Sequence, residues 1–489
     1  MLENNFVDFY VTGEGEKIFS DIINNNVVGK KQSKFIKQEN PLDLNLITNP
    51  YPADILPLSK NETMLLETMR GCSSKCTYCY YGKSFPKIRY FEKQEIEKFF
   101  LKANKSDIKE IYIMDPSFDH CKNLNDKLSF IAKCNASKIP IHTEIHLETV
   151  NEKNIHLFKD AGISSVEAGL QSTNPLALKN VKRKFNMGKF LKGAELLQKN
   201  NIKITTGLIV GLPGDTLEGF EETLDFVISN DLSEGVEIYP LSVLPGSTLS
   251  ETASKDKIEY MKAPPYYATS TNTMKYDDFV FAEDIVKQKR DMDLYEPVLA
   301  HFYNHDDIIT FMDLRRKIKN DELINLLKKI GNNLTLLINH KNLSDLNLFK
   351  EIDNIISDSN PFTLVQIVVE CDKPLENKAA KDLNRIFSNN NGYFENTRIF
   401  HKDNQNRYSV RFFQITSNIE TFIKLDHWKT FWDPLFNIKK GMNDNAYNFL
   451  KNKIPMIVID KNISQKELNK ILSIYKNYES FIMRSDIDI

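Results

Sequence analysis

The run Arg70-Gly71-Cys72-Ser73-Ser74-Lys75-Cys76-Thr77-Tyr78-Cys79 decides the reading of this 489-residue chain. It sets three cysteines at C-x3-C-x2-C spacing, with an aromatic ring just before the third. Three soft thiolates suit an iron–sulfur cube that leaves one iron without a protein ligand. A structural zinc site closes its tetrahedron with a fourth ligand, and no fourth Cys or His stands at zinc-finger spacing here. An iron left open is a place to do chemistry.

Outward from this run, residues 61 to 249 repeat one theme, strand then helix. Short Ile-, Val- and Tyr-rich runs bounded by turn residues predict strands over 64–69, 110–115, 140–147, 164–170, 203–210 and 235–244. Between them, helical patterns cover 93–103, 124–133, 152–160, 187–199 and 217–228. In the last, Leu217, Phe220, Leu224 and Val227 recur at the spacing of one helix face. Asp215, three residues before Glu218, reads as a capping pair. Strands separated by such helices argue for parallel β/α units. Six units fall short of the eight of a closed barrel, so an open six-unit barrel is expected. The cysteine loop follows the first strand and sits at the C-terminal end of the strands, where chemistry collects in parallel barrels.

The cysteine spacing and Tyr78 resemble the radical SAM superfamily, whose core is this partial (β/α)6 barrel. The resemblance implies a [4Fe-4S] cluster on Cys72, Cys76 and Cys79, one-electron cleavage of S-adenosylmethionine (SAM), and hydrogen abstraction from a substrate. It also implies that the ring of Tyr78 lies beside the cluster and the adenine. The run from Gly207 to Thr216, with Gly211-Leu212-Pro213-Gly214-Asp215, resembles the adenine-side loop of these enzymes. Missing side chains at Gly211 and Gly214 would let backbone approach a flat ligand; a plain strand-to-helix turn is the other reading. Glu167-Ala168-Gly169-Leu170-Gln171-Ser172 resembles the E-x-G-x-Q-S segment of the branch that carries a cobalamin (B12) domain, with Glu167 and Gln171 placed for ribose hydroxyls. Asp115-Pro116-Ser117-Phe118 resembles that branch's D-x-[ST]-F stretch. Asp115 would then contact the SAM amino group, against the plainer reading of an N-cap. Alternation puts His142, Glu144 and His146 on one face, with Glu144 a further SAM candidate. Pro245-Gly246-Ser247-Thr248 resembles the branch's P-G-T turn and is expected at the substrate mouth.

The whole chain is expected to be α/β: a partial (β/α)6 barrel over 61–270, a helical connector over 271–330, and a smaller α/β domain over 331–489. Residues 1–30 contain Gly13-Glu14-Gly15-Glu16 and resemble the last strand and helix of a cobalamin-binding Rossmann-like domain. Residues 31–60, with Pro41, Pro50, Pro52 and Pro57, read as a linker. Almost all of the cobalamin domain is missing from this pattern. The expectation divides between a separate chain that completes the corrinoid site, a mis-set start, and a reaction that runs without cobalamin.

The net charge of −2 gives no drive toward nucleic acid or a membrane surface. No signal peptide or membrane-length apolar stretch is visible. Six cysteines, three in one loop, suit a reducing, cytoplasmic setting. Cys121, Cys134 and Cys371 read as packing thiols, and no second cluster is expected. The expected function is reductive SAM cleavage with modification of an unactivated C–H position on a small-molecule or peptide substrate, fed by a low-potential electron donor. Cobalamin-linked methyl transfer and a cobalamin-free oxidation, rearrangement or cyclisation are the two forms it can take; the alternative to both is a catalytically degenerate binding partner.

Overall fold

The β-branched runs of the first half become six strands: β1 (Thr63–Leu66), β2 (Glu110–Ile113), β3 (Ile141–Glu144), β4 (Ile163–Gln171), β5 (Lys203–Val210) and β6 (Gly235–Pro240). The computed structural model describes residues 9–24, 35–38, 40–58, 60–232, 235–290, 300–304, 307–316, 318–360, 363–387, 400, 410–427, 432–453, 456–475 and 482–485. The chain divides into two units, 1–261 with 266–292, and 262–265 with 293–489.

In the first unit the six strands pair in chain order, each parallel to the next, with β1 and β6 left as edges. The expected open (β/α)6 barrel is therefore present. Right-handed crossovers between sequential parallel strands lay the connecting helices on one face. Ile111, Ile113, Val166 and Ala168 are buried on the helix side, so alternation turns Tyr112, Glu144, Glu167 and Glu237 to the lumen. The helices are α1 (Lys93–Ala103), α2 (Leu124–Cys134), α3 (Ile155–Ala161), α4 (Pro175–Asn180), α5 (Met187–Lys199) and α6 (Leu217–Ser229). Phe220, Leu224 and Val227 of α6 are buried, as their spacing requires. Its N-cap is Thr216, whose hydroxyl accepts from the Gly219 amide at 3.0 Å, not the expected Asp215. Asp215 instead accepts from Ser172 and Asn174. The short α4 escaped the periodicity reading. Asn174 and Pro175 mark it, as side-chain cap and first-turn proline.

The first strand ends sooner than expected because Asp115 captures the backbone just beyond it. The Thr68 amide donates to Asp115 Oδ1 at 2.7 Å and the Met69 amide at 3.1 Å. The Thr68 hydroxyl and Lys127 Nζ, the latter at 2.8 Å, reach Oδ2. Met69–Arg70 then pairs antiparallel with Arg89–Tyr90 and brackets the cysteine loop. Asp115 is fully buried. The expected SAM-amino contact is replaced by a structural one, since its oxygens are occupied by backbone, hydroxyl and ammonium donors.

Before the barrel, Tyr10–Thr12 pairs parallel with Phe35–Lys37 across the helix Gly15–Asn24. Residues 1–8 and 25–30 of the segment that resembles a cobalamin-binding domain, and residues 31–34, 39 and 59 of the linker, lie outside the described residues. The linker is less irregular than expected, since it also holds the turn of helix Leu44–Leu46.

The expected helical connector over 271–330 is corrected. Helix Tyr276–Arg290 packs Phe279, Ala282 and Val286 into the first unit. Strand β7 (Ile309–Asp313) and helix Asn320–Leu327 belong to the second. β7 begins a seven-stranded sheet with β8 (Ile330–Asn339), β9 (Leu364–Glu370), β10 (Val410–Thr416), β11 (Asp433–Ile438), β12 (Ile457–Ile459) and β13 (Ile482–Arg484). Every neighbouring pair is parallel and in chain order. Leu334, Val365 and Phe412 pack in one core on one face; Leu337, Val368 and Phe413 pack in another on the opposite face. Burial on both faces explains why these strands read as continuous apolar runs. The apolar runs 408–413 and 455–459 of the sequence also predict strands, and residues 408, 409 and 455 of them lie outside the described residues.

Asp115→Ala would leave Lys127 Nζ, whose side chain is 13% exposed, with only the Phe118 carbonyl, beside two unpaired amides. Urea unfolding should show a loss of about 3–5 kcal/mol, part of it recovered by adding Lys127→Met. A loss below about 1 kcal/mol would mean that the pair is solvated rather than buried.

Candidate active site

The chain leaves β1 through Arg70, which contacts to three carboxylates hold in place. Its guanidinium grips Glu67 through Nε at 3.0 Å and Nη2 at 2.8 Å, and reaches Glu14 at 3.1 Å and Glu16 at 2.7 Å. Glu14 also binds Arg89 at 2.7 Å and the Leu42 amide at 2.6 Å. Burial pushes the Glu14 carboxyl up, but Arg89, the Leu42 amide and Arg70 hold it below the usual range. The Gly-Glu-Gly-Glu segment thus anchors the entry to the cysteine loop. Gly71 comes next at φ +114°, and a Cβ there would strike the Lys87 carbonyl, so only glycine makes this turn.

The loop is stitched to distant parts of the barrel. The Cys72 amide donates to Phe85 O at 3.0 Å, the Thr77 amide to Val181 O at 3.0 Å, and the Leu249 amide to Thr77 O at 2.8 Å. Its three thiols line one cavity of about 150 Å³ together with Tyr78, Glu144 and Glu167. Gln171, Arg183, Ser74, Ser117 and His146 complete the polar lining. Gln171 gets there by a register shift at the end of β4 and a left-handed φ of +70°, a backbone strain of the kind found at functional sites.

Seven predicted contacts therefore meet: Cys72, Cys76, Cys79, Tyr78, Glu144, Glu167 and Gln171. Asp115, Gly211, Leu212 and Pro213 do not line this cavity. Gly211 has φ +89°, and a Cβ would strike the ring of Phe279, while Leu212 is fully buried. The glycine answers to packing by a helix that comes after the barrel. Pro213 borders a different hollow with Asn180 and Lys255. Ser247, expected at the mouth, caps helix Thr248–Thr252, and Gly246 O accepts from Lys83 at 2.8 Å. His142 bonds Ser165 at 2.8 Å and stacks edge-on to Tyr112. A larger, apolar hollow of about 260 Å³ between residues 47–56 and β1 holds no thiol, so the chemistry belongs to the smaller cavity.

Arg183 is a cavity-lining residue that sequence reasoning missed. It sits in Lys182-Arg183-Lys184, where nothing in the composition singles it out. The fold brings its Nη1 to 4.0 Å from Cys76 Sγ and its Nη2 onto Gly169 O. Its Nε is buried without a partner among the described residues. Burial pushes the Cys72 thiol up, but hydrogen bonds with His120, the Ser74 amide and Ser117 bring it down to about 7. Glu144 and Glu167 stand side by side on adjacent strands. Burial, then the charges of Glu144 and Glu237, push Glu167 up to about 7.

Residues 66–227 match the Radical SAM superfamily. Over 304 residues the chain is 24% identical to an uncharacterised methyltransferase of Pyrococcus horikoshii, covering 58% of this chain and 66% of that one. It is 23% identical over 204 residues to the cobalamin-dependent radical SAM methyltransferase TokK of Streptomyces tokunonensis, covering 40% and 29%. The chain thus spans less than two thirds of either relative. Among solved structures it is similar to the radical SAM methyltransferase TsrM from Kitasatospora setae, at 15% identity and a TM-score of 0.38, over 42% of this chain and 43% of that one. Radical SAM proteins use a [4Fe-4S] cluster and SAM. The donor set here fits such a cluster: three part-exposed thiols on one cavity wall, with a guanidinium beside one of them. Among the described residues no helix is long and apolar enough to cross a membrane.

The folded Glu167 carboxyl keeps its proton to about pH 7, whereas a free glutamate releases it near 4.5. The folded chain therefore binds more protons between those values, and its stability falls as pH rises through that window. Glu167→Gln removes this loss. Its melting temperature should exceed the parent's at about pH 8 and differ little at about pH 4. Equal differences at both values would show that Glu167 titrates normally.

Proposed function

We propose that this chain is an enzyme that cleaves SAM reductively and modifies an unactivated C–H position of a small molecule or peptide. The observation that carries the reading is the convergence of three thiols, Tyr78, Glu167, Gln171 and Arg183 on one cavity at the C-terminal end of an open barrel. Cys72, Cys76 and Cys79 would hold the cluster, which supplies an electron and an open iron to SAM. The rest is positioning by this chain's own groups. Arg183 offers a buried cation to a carboxylate. Glu167 and Gln171 offer oxygen and amide partners to hydroxyl or amino groups. Tyr78 supplies an aromatic wall. A low-potential electron donor and a reducing cytoplasm belong to the proposal, and the six unpaired thiols support it.

Methyl transfer is the finer proposal, supported by the names of the Pyrococcus and Streptomyces relatives. The residues present do not make a corrinoid site by themselves. The βαβ fragment of residues 10–37 has two three-residue strands, and the first histidine of the chain is His120.

The test is anaerobic reconstitution with iron and sulfide, then SAM and a strong reductant, with and without methylcobalamin, with nucleosides read by mass spectrometry. 5′-Deoxyadenosine from the parent and at least a hundredfold less from Cys76→Ala supports the enzyme reading; equal amounts from both sink it. S-adenosylhomocysteine formed only with methylcobalamin supports methyl transfer, and its absence favours the cobalamin-free form.

A further inference from the structure

The loop after β2 carries a group of side chains that the SAM-side reading leaves idle. Asp119 and His120 come from this loop, and His146 from the turn after β3. Backbone bonds pin both turns: the Phe118 amide donates to Glu144 O at 2.9 Å, the His120 amide to Ser117 O at 3.0 Å, and the Thr149 amide to His146 O at 3.0 Å. The Asp119 side chain has no solvent exposure. Its Oδ1 accepts from the His146 amide at 3.1 Å and meets His146 Nδ1 at 3.3 Å. Its Oδ2 is buried and has no hydrogen-bond partner among the described residues. The ammonium of Lys127 does not serve it, since that group binds Asp115 Oδ2 at 2.8 Å and Phe118 O at 3.0 Å. A buried carboxylate with an idle oxygen is costly, and buried charges are as a rule paired or bound to metal.

Two imidazoles stand beside this carboxylate. His146 lines the thiol cavity, and the ring of His120 stacks on it with centroids 4.1 Å apart and planes within 6°. Asp119, His120 and His146 each offer a ligand atom, and these atoms lie within 4.8 Å of one another. Ligands of a tetrahedral zinc ion stand about 3.4 Å apart, so the group has to draw in by no more than roughly 1.5 Å. Parallel rings send their in-plane lone pairs side by side, so each ring must also turn about its Cβ–Cγ bond to meet one ion. The 3.1 Å contact of His120 Nδ1 with Ser73 Oγ lies at the surface, where water can replace it. Two imidazoles and one carboxylate, with a fourth position left open, suit zinc or ferrous iron. Magnesium and calcium take shells of oxygen.

We propose that Asp119, His120 and His146 form a binding site for a single divalent transition ion, zinc or ferrous iron. The ion supplies the positive charge that the buried Asp119 oxygen lacks. Because His146 lines the cavity, the open position lies at the cavity wall and takes water or an oxygen or nitrogen donor there. The site uses none of Cys72, Cys76 and Cys79, so it stands or falls separately from the reading of those thiols as cluster ligands.

The test is a titration of the full chain with cobalt(II), whose spectrum reports its ligands. Thiolates give an intense near-ultraviolet band, whereas imidazole and carboxylate give only weak visible ones. Cys72→Ser, Cys76→Ser and Cys79→Ser together remove the competing thiols. This triple variant should bind about one cobalt per chain, with visible bands and no thiolate band. Adding Asp119→Asn, which keeps the shape and removes the charge, or His146→Ala should weaken binding at least about tenfold. Equal binding with and without Asp119→Asn, or no binding by a folded triple variant, overturns the inference. A thiolate band that persists in the triple variant puts the ion on another cysteine and overturns it too. If the triple variant does not fold, the parent is reconstituted with iron and sulfide, given zinc, and analysed for both metals. About one zinc per chain, lost in Asp119→Asn at unchanged iron, supports the site; zinc equal in both, or none in the parent, overturns it. A parent that takes up no cluster while the triple variant binds cobalt sinks the proposed function and leaves this site standing.

Discussion

A buried carboxylate, Asp115, stands between the first two strands, and the geometry of the site depends on it. It accepts from the Thr68 and Met69 amides and from Lys127. Those bonds stop β1 at Leu66 and swing the chain out of the sheet. Without that turn, Arg70 would not reach Glu14, Glu16 and Glu67, and the loop would lack its fixed entry. A charge in a fully buried place costs several kcal/mol unless its lone pairs are satisfied. Here backbone amides, a hydroxyl and an ammonium satisfy them, so the burial of one charge enforces a specific path for the backbone.

The electrostatics of the cavity are divided. Glu144, Glu167 and Glu237 crowd the lumen wall, and the first and last of these make Glu167 harder to ionise. Arg183 lies on the cysteine side, with Cys76 and Tyr78 as its negative or polar neighbours. A zwitterion with its cationic and anionic ends apart would match both walls at once. That division arises from strand alternation on one side and from the β4–β5 connection on the other. It is a property of the assembled barrel and of no single motif.

Much of the barrel was legible in the sequence. Helices 93–103 and 187–199 matched their spacing because each hides one apolar stripe. The cysteine loop was legible because three thiols at that spacing have few uses. Where a site residue was misread, a tertiary contact was the cause. Asp115 looked like a ligand group because its real partners, Thr68 and Lys127, come from other elements. Strand Ile309–Asp313 was lost in an expected helix, since five residues carry too little periodicity to show against their flanks. Arg183 was invisible because its value lies in a 4.0 Å approach to a residue 107 positions earlier.

Gly211 shows how such contacts can mislead. Its position after β5 suggests space reserved for a ligand, yet the space is filled by the ring of Phe279. The two residues occupy one volume, and the backbone at Gly211 is left-handed as well. Neither position can then change freely. A side chain at 211 would require a smaller one at 279 and would add backbone strain, so across related chains the two should drift together or stay still. A covariation signal between a barrel loop and the helix behind it would then report shared volume, although it could easily be taken for communication between a binding site and a distant element.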